Sequence, residues 1–268
     1  LNGPNRTVAQ GDVDIHPQAI VDGEAELGAG VVVGPWAQVG PGARIGNGTV
    51  IGSTVLIEGN TEIGEDCRIH HGAVLGSAPQ DLKFEGEDTS LTVGNRTVIR
   101  EYATLNRGTS ASGTTSVGED CLLMAYTHVA HDCRVGNHVI LSNAVNMAGH
   151  VELEDWVIVG GLTPIHQFVR VGAHAFIGGG SRISQDVAPY CRVAGSPPKL
   201  YGLNSVGLER RGFSADVRAA LKRAYRTVFQ SDLNVTRGVQ RAREEAADIR
   251  EVEHFLDFIQ SSERGITF

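Results

Sequence analysis

"VGPWAQVGPGARIGNGTVIGSTVLIEGNTEIG", residues 33–64, repeats itself every six residues. Val33, Val39, Ile45, Ile51, Ile57 and Ile63 mark the repeat, which extends back through Leu27 and Val21 to Ile15 and forward to Ile69 and Leu75. Four residues past each aliphatic stands a small or modest side chain: Ala19, Ala25, Val31, Ala37, Ala43, Thr49, Val55, Thr61, Cys67 and Ala73. Glycine often follows the aliphatic directly. The register breaks, returns at Val93 and Ile99, and breaks again. It restarts at Val117 and runs through Leu123, Val129, Val135, Leu141, Met147, Leu153, Val159, Ile165, Val171 and Ile177 to Ile183.

A plain strand alternates with period two and a helix with period 3.6. Period six describes a short strand, a turn and a fixed corner, and three hexads make one triangular coil of 18 residues. The reading is a parallel β-helix in which aliphatic and small side chains stack inside and each coil leans on its neighbours. A β-sandwich would show irregular spacing and hairpin turn signals instead.

Two stretches leave the register: about 77–92, "SAPQDLKFEGEDTSLT", and about 109–116, "TSASGTTS". Insertions in a solenoid bulge out as loops, often on the binding face. After Pro189 the hexads stop, and "AGSPPKLYG" is a Pro/Gly-rich exit. Ser214 is the expected N-cap of a helix over roughly 215–230, whose Val217, Ala220, Leu221, Ala224 and Val228 follow helical spacing. Two more helical segments are predicted near 235–247 and 251–262, with Phe255, Leu256, Phe258 and Ile259 as the last one's apolar face. The expected organisation is an N-terminal tail (1–14), a mainly-β helix (15–195) carrying the two loops, and a small α-helical domain (196–268).

Composition narrows the function. The net charge of −8 argues against nucleic acid, whose binders neutralise phosphates. No apolar run of about 18 residues predicts a membrane span, and the polar Leu1–Gln10 stretch lacks a signal-peptide core. Cys67, Cys121 and Cys133 take the small inward position and read as buried thiols, so a cytoplasmic home is expected.

Nine of the ten histidines fall in the hexad region, and none takes an inward position. A polar ring would be expelled from a narrow apolar core in any case, so a solvated turn histidine is the ordinary reading of each. The stretch "THVAHDC", 127–133, sharpens the choice. Residues 18 apart stack, which places Asp132 under His150 and His131 under Gly149 in one outward patch, with His128 beside it and His166 one coil on. Imidazoles with a carboxylate suit general-base catalysis near neutral pH. The carboxylate would orient the ring, and Gly149 would let a substrate approach a bare backbone N–H, as an oxyanion donor requires. A zinc site across a subunit interface is the rival chemistry, and the spacing of His128 and His131 leaves both open.

These residues carry a resemblance. "PQDLKFEGE" (79–87), "HVAHDC" (128–133), "NMAGHV" (146–151), "IHQF" (165–168) and "GLERRGF" (207–213), in this order and over nearly the whole chain, resemble the UDP-N-acetylglucosamine O-acyltransferases of lipid A synthesis. The resemblance implies a left-handed β-helix and a homotrimer with active sites between subunits. It implies transfer of a 3-hydroxyacyl group from acyl carrier protein to the 3-hydroxyl of UDP-N-acetylglucosamine. His131 would be the general base, Asp132 its support and the Gly149 N–H the oxyanion donor. Gln80, Asp81, Lys83, His128 and His150 would hold the acceptor sugar and phosphates, and His166 and Gln167 the nucleotide or acyl side. Asn204, Arg210 and Arg211 would bind the UDP part. Gly179 matches the position that measures acyl length, and a glycine there implies an open groove and a longer chain. A thioester is already activated, so no cofactor and no metal are implied, and a hydroxyl needs only a base.

The acyl carrier protein is acidic, and Arg218, Lys222, Arg223 and Arg226 on one predicted helix offer it a basic surface. Many members carry a histidine where this chain has Asn106, which leaves a 3-amino UDP-sugar as an alternative acceptor. The N-acyltransferase acting later in the pathway, and a metal-dependent trimeric β-helix enzyme or a purely structural trimer, are the remaining alternatives. The "QDLK" loop and "RRGF" stand against the first of these.

Overall fold

The computed structural model describes residues 12–246 and 248–268. The expected N-terminal tail lies largely outside these, and Asp14–Ile15 is already a strand. Three parallel sheets form the faces of a left-handed triangular prism. The first runs from Asp14–Ile15 through Val32–Val33, Val50–Ile51 and Leu122–Leu123 to Phe176–Ile177, and the other two carry eight strands each. Most strands are two residues long, the first facing out and the second in. Pairing is by one coil, as in Val32↔Val50 and Val33↔Ile51.

The six-residue period works because each corner takes a left-handed residue three places past the aliphatic, as at Trp36, Thr54, Asp66, Tyr126, Asp132, His150 and His174. A side chain in that conformation costs roughly 1–2 kcal/mol. The stacked backbone bonds of neighbouring coils offset it, as in Gly34 N–H to Ile51 O (2.8 Å) and Gly52 N–H to Ile69 O (2.7 Å). The expected aliphatic and small positions from Val31 onward are buried, whereas on the first coil Ile15 is exposed and Val21 and Leu27 are only partly buried against the core. Inward threonines are satisfied: Thr49 Oγ1 donates to Gly64 O and accepts from Cys67 N–H. Cys67, Cys121 and Cys133 are free and buried, and burial raises all three thiols, Cys133 to about 12.

Three features depart from the sequence reading. Leu105, six residues past Ile99, continues the register and is fully buried, so three aliphatics rather than two stand between the inserted loops. The Pro/Gly-rich exit is sheet on both sides of its turn: Cys191–Ala194 extends the first face and pairs antiparallel with Lys199–Leu203. A short helix, α1 (Ser205–Arg210), precedes the expected ones. Those are α2 (Ala215–Phe229), capped by Ser214 as expected, α3 (Val235–Glu245) and α4 (Arg250–Gln260). They enclose a second core around Leu221, Val228, Phe255 and Leu256. No helix among the described residues is long and apolar enough to cross a membrane.

Candidate active site

The second corner follows the face built from strands such as His128–Val129 and Asn146–Met147. Stacking gathers its side chains. Asp132, His150 and Phe168 occupy the left-handed position of successive coils. His131, Gly149 and Gln167 precede them.

Asp132 is the anchor. Its side chain is fully buried, and it accepts hydrogen bonds from Thr109 N–H (3.0 Å), Thr109 Oγ1 (2.7 Å) and Ser112 Oγ (2.5 Å). Its own N–H donates to Thr115 Oγ1 (2.8 Å). The second inserted loop therefore exists here to hold a carboxylate. Asp132 Oδ2 lies 2.7 Å from His131 Nδ1, which fixes the ring and leaves Nε2 as its free nitrogen. Burial pushes the Asp132 carboxyl up, but the bonds from Ser112, His131 and Thr109 outweigh it and hold the group at about 2 rather than 3.8. The folded value lies below the ordinary one, so this stabilisation is complete above pH 4 and is lost as pH falls toward 2. It amounts to about 2 kcal/mol. The stability gap between wild type and Asp132→Asn is expected to shrink by about 1 kcal/mol between pH 6 and pH 3 in denaturant titrations. A gap independent of pH would contradict the assignment.

Gly149 lies directly against the imidazole. A Cβ there would sit 2.6 Å from His131 Cε1 and 2.8 Å from Nε2. Its buried N–H has no acceptor among the described residues. At the third corner the equivalent N–H groups are taken by stacked side chains, Glu65 by Asn95 Oδ1 (2.8 Å), Glu119 by Asn137 Oδ1 (3.0 Å) and Asn137 by Asp155 Oδ1 (2.8 Å). His150 sits edge-on to His131 (5.2 Å between ring centres), stacks on Phe168 (4.5 Å) and keeps Nε2 3.7 Å from Asp132 Oδ2. His128 Nδ1 pairs with Thr104 Oγ1 (2.7 Å), and burial, then the neighbouring His131, lowers its pKa.

His131, Asp132 and His150 place three ligating atoms within 4.8 Å of one another. The 2.7 Å between His131 Nδ1 and Asp132 Oδ2 is hydrogen-bond spacing. Two donors on a tetrahedral zinc stand about 3.3 Å apart. The cluster fits a proton relay better than a metal cage.

Comparison with known proteins decides the family. A profile described as "Udp N-acetylglucosamine O-acyltransferase; Domain 2" matches residues 186–267, and bacterial transferase hexapeptide repeats match 24–59, 42–77 and 114–146. The acyl-[acyl-carrier-protein]–UDP-N-acetylglucosamine O-acyltransferase of Paracidovorax citrulli is 52% identical over 94% of this chain and 98% of its own, and that of Myxococcus xanthus 47% over 94% and 98%. The chain belongs to this O-acyltransferase family. The crystal structure of the Francisella novicida UDP-N-acetylglucosamine acyltransferase superposes with a TM-score of 0.92 at 35% identity, covering 94% of this chain and 93% of that one. The Campylobacter jejuni enzyme gives 0.90 at 40%, covering 95% and 99%.

Other residues expected in the acyltransferase site are dispersed within one chain. Gln80, Asp81 and Lys83 ride the first inserted loop, where Asp81 Oδ1 accepts from Lys83 N–H (3.0 Å) and Leu82 is wholly exposed. Asn106 Nδ2 donates to Ala78 O (3.1 Å), and Arg107 donates to Gly76 O (3.2 Å) while covering Phe84. Asn106 therefore anchors the loop. Gly179 lies at the first corner. Arg211 is at the third, 5.0 Å over Trp156 and donating to His174 Nδ1 (3.2 Å), with burial and Arg211 lowering His174 to about 4.

Arg210 and Arg211, both expected at the UDP part, thus differ: Arg210 is exposed and Arg211 is already engaged. Asn204 is likewise committed, accepting from Gly207 N–H and donating to His174 O. The basic helix also divides. Arg218, Lys222 and Arg226 line one groove of about 500 Å³ beside Tyr225, with Arg218 ion-paired to Glu209 (3.3 Å), whereas Arg223 lines another. His166 stands at the second corner, Nδ1 3.1 Å from Gln167 O. Thr109, Ser112 and Thr115 were not anticipated. Their only sequence signal is a Ser/Thr-rich loop inserted one coil before His131.

Proposed function

We propose that the chain transfers a 3-hydroxyacyl group from acyl carrier protein to the 3-hydroxyl of UDP-N-acetylglucosamine, the first step of lipid A synthesis. The observation that carries this is the His131–Asp132 pair standing against the bare Gly149 N–H. His131 Nε2 takes the proton from the acceptor hydroxyl as its oxygen attacks the thioester carbonyl. Asp132 holds the ring and stabilises the imidazolium. The Gly149 N–H donates to the tetrahedral oxyanion. The C–S bond then breaks, and the leaving thiolate takes the proton back from His131, giving an ester and a free thiol.

His128, His150 and the Gln80–Lys83 loop bind the sugar and phosphates, and His166 and Gln167 the nucleotide or acyl side. Gly179, His131 and Arg211 belong to three different corners, so one chain alone leaves a substrate only partly surrounded. A homotrimer supplies Asn204, Arg210, Arg211 and the Gly179 groove from a neighbouring copy. Arg218, Lys222 and Arg226 receive the acidic carrier protein, and a long hydroxyacyl chain fits a groove that no side chain at position 179 closes.

Incubation with 3-hydroxyacyl carrier proteins of several lengths and UDP-N-acetylglucosamine tests the reading. Formation of the 3-O ester supports it. Inactivity at every length, with transfer to a 3-amino UDP-sugar, would replace the acceptor.

A further inference from the structure

The C-terminal residues return to the second corner. Asp186, buried one coil beyond Phe168, receives them: Asp186 N–H donates to Gly265 O (3.0 Å) and Thr267 N–H to Asp186 O (2.8 Å). The Asp186 carboxylate accepts from Ser262 Oγ (2.7 Å) and Arg170 N–H (2.8 Å). Gly265 has φ of +77°, a conformation that admits glycine most readily, and a Cβ there would meet Gln185 Nε2 at 3.1 Å. This strap delivers Arg264 to His166. Arg264 Nη2 lies 3.2 Å from His166 Nδ1 and 3.4 Å from Ser184 O, and its buried Nε has no partner among the described residues.

His166 Nδ1 thus faces two groups of opposite kind. The Gln167 carbonyl, 3.1 Å away, only accepts and would keep a proton on Nδ1. The Arg264 guanidinium only donates and would keep it off. A charged donor makes a bond roughly twice as strong as a neutral one, so Arg264 wins and the proton resides on Nε2. That nitrogen has no partner among the described residues.

We infer that Arg264 is a positioning residue: it fixes the tautomer of His166, so that the ring presents Nε2–H to an oxygen of the bound substrate. Without the guanidinium, the Gln167 carbonyl recovers the Nδ1 proton, and Nε2 then offers a lone pair to an oxygen that needs a donor. The role of the tautomer in binding rests on the reading of this corner as the acyl-transfer site.

Nitrogen-resolved NMR of His166, assigned with His166→Gln, reports the tautomer without any substrate. Wild type is expected to show Nε2–H and Arg264→Gln a shift to Nδ1–H. Kinetics should then show KM for one of the two substrates raised about tenfold, the worth of a lost hydrogen bond, with kcat within about twofold. Arg264→Lys, which also only donates, should restore both readouts. The same tautomer in wild type and Arg264→Gln overturns the inference. Equal losses in Arg264→Gln and Arg264→Lys with a lowered melting temperature also overturn it, because the strap would then be only structural. If wild type transfers no acyl group, the functional reading fails while the NMR comparison still decides the tautomer.

Discussion

His131→Ala is expected to lower kcat for acyl transfer about a thousandfold, within the range for losing a positioned general base, while KM for both substrates changes little. The acceptor hydroxyl is a weak nucleophile until its proton is taken. His131 Nε2 is the nitrogen free to take it, because Nδ1 is held by Asp132 at 2.7 Å. The substitution leaves the fold intact, since the side chain points outward and its removal opens no core cavity. Steady-state kinetics beside a melting curve separates the two effects. A variant that keeps a tenth or more of wild-type kcat would remove His131 from the chemistry. His150, 3.7 Å from the same carboxylate, would then be the next candidate.

The second large effect is expected at Gly149. In Gly149→Ala the new methyl group would lie 2.6 Å from His131 Cε1 and 3.2 Å from Nδ1. The ring has little room to yield, because Asp132 holds it and is itself held by Thr109 and Ser112. Either the imidazole leaves its bond to Asp132 or the corner opens, and in both cases the bare N–H loses its approach to the oxyanion. Loss of one oxyanion donor costs on the order of 100- to 1,000-fold in kcat, and overpacking costs stability of about 1–3 kcal/mol. Gly23→Ala, where a Cβ meets nothing within 4 Å, is the matched control and should be silent. Activity within threefold of wild type in Gly149→Ala would mean that the oxyanion is stabilised elsewhere.

The parts of the molecule that obey the hexad were legible in the sequence. Adding 18 to Asp132 and His131 finds His150 and Gly149 because stacking is a property of the period itself. Leu105 obeys the same rule: it stands six residues past Ile99, and the step that gives Val93 and Ile99 reaches it too. The hairpin of Cys191–Ala194 and Lys199–Leu203 has no period to read. Thr109 and Ser112 were invisible for another reason: a loop's contacts are set by where it folds back, not by its spacing. The bond from Arg264 to His166 spans 98 residues and follows from how Asp186 captures the C-terminal strap. The engagement of Arg211 with Trp156 and His174 is likewise a packing outcome that "ERRG" does not encode.

Single-turnover transfer from a 3-hydroxyacyl carrier protein to UDP-N-acetylglucosamine, by wild type and by Asp132→Asn, tests the central claim most directly. Asparagine tolerates the left-handed backbone at this position (φ +60°) and still accepts from Thr109. It fails to hold His131 in the right tautomer or to stabilise its protonated form. The expected result is a 3-O ester from wild type and a rate at least about 100-fold lower from the variant, with the same oligomeric state and melting temperature at pH 7 within a few degrees. Equal rates from the two proteins, or no ester from wild type at any acyl length, would contradict the assignment of His131 and Asp132 as the catalytic pair.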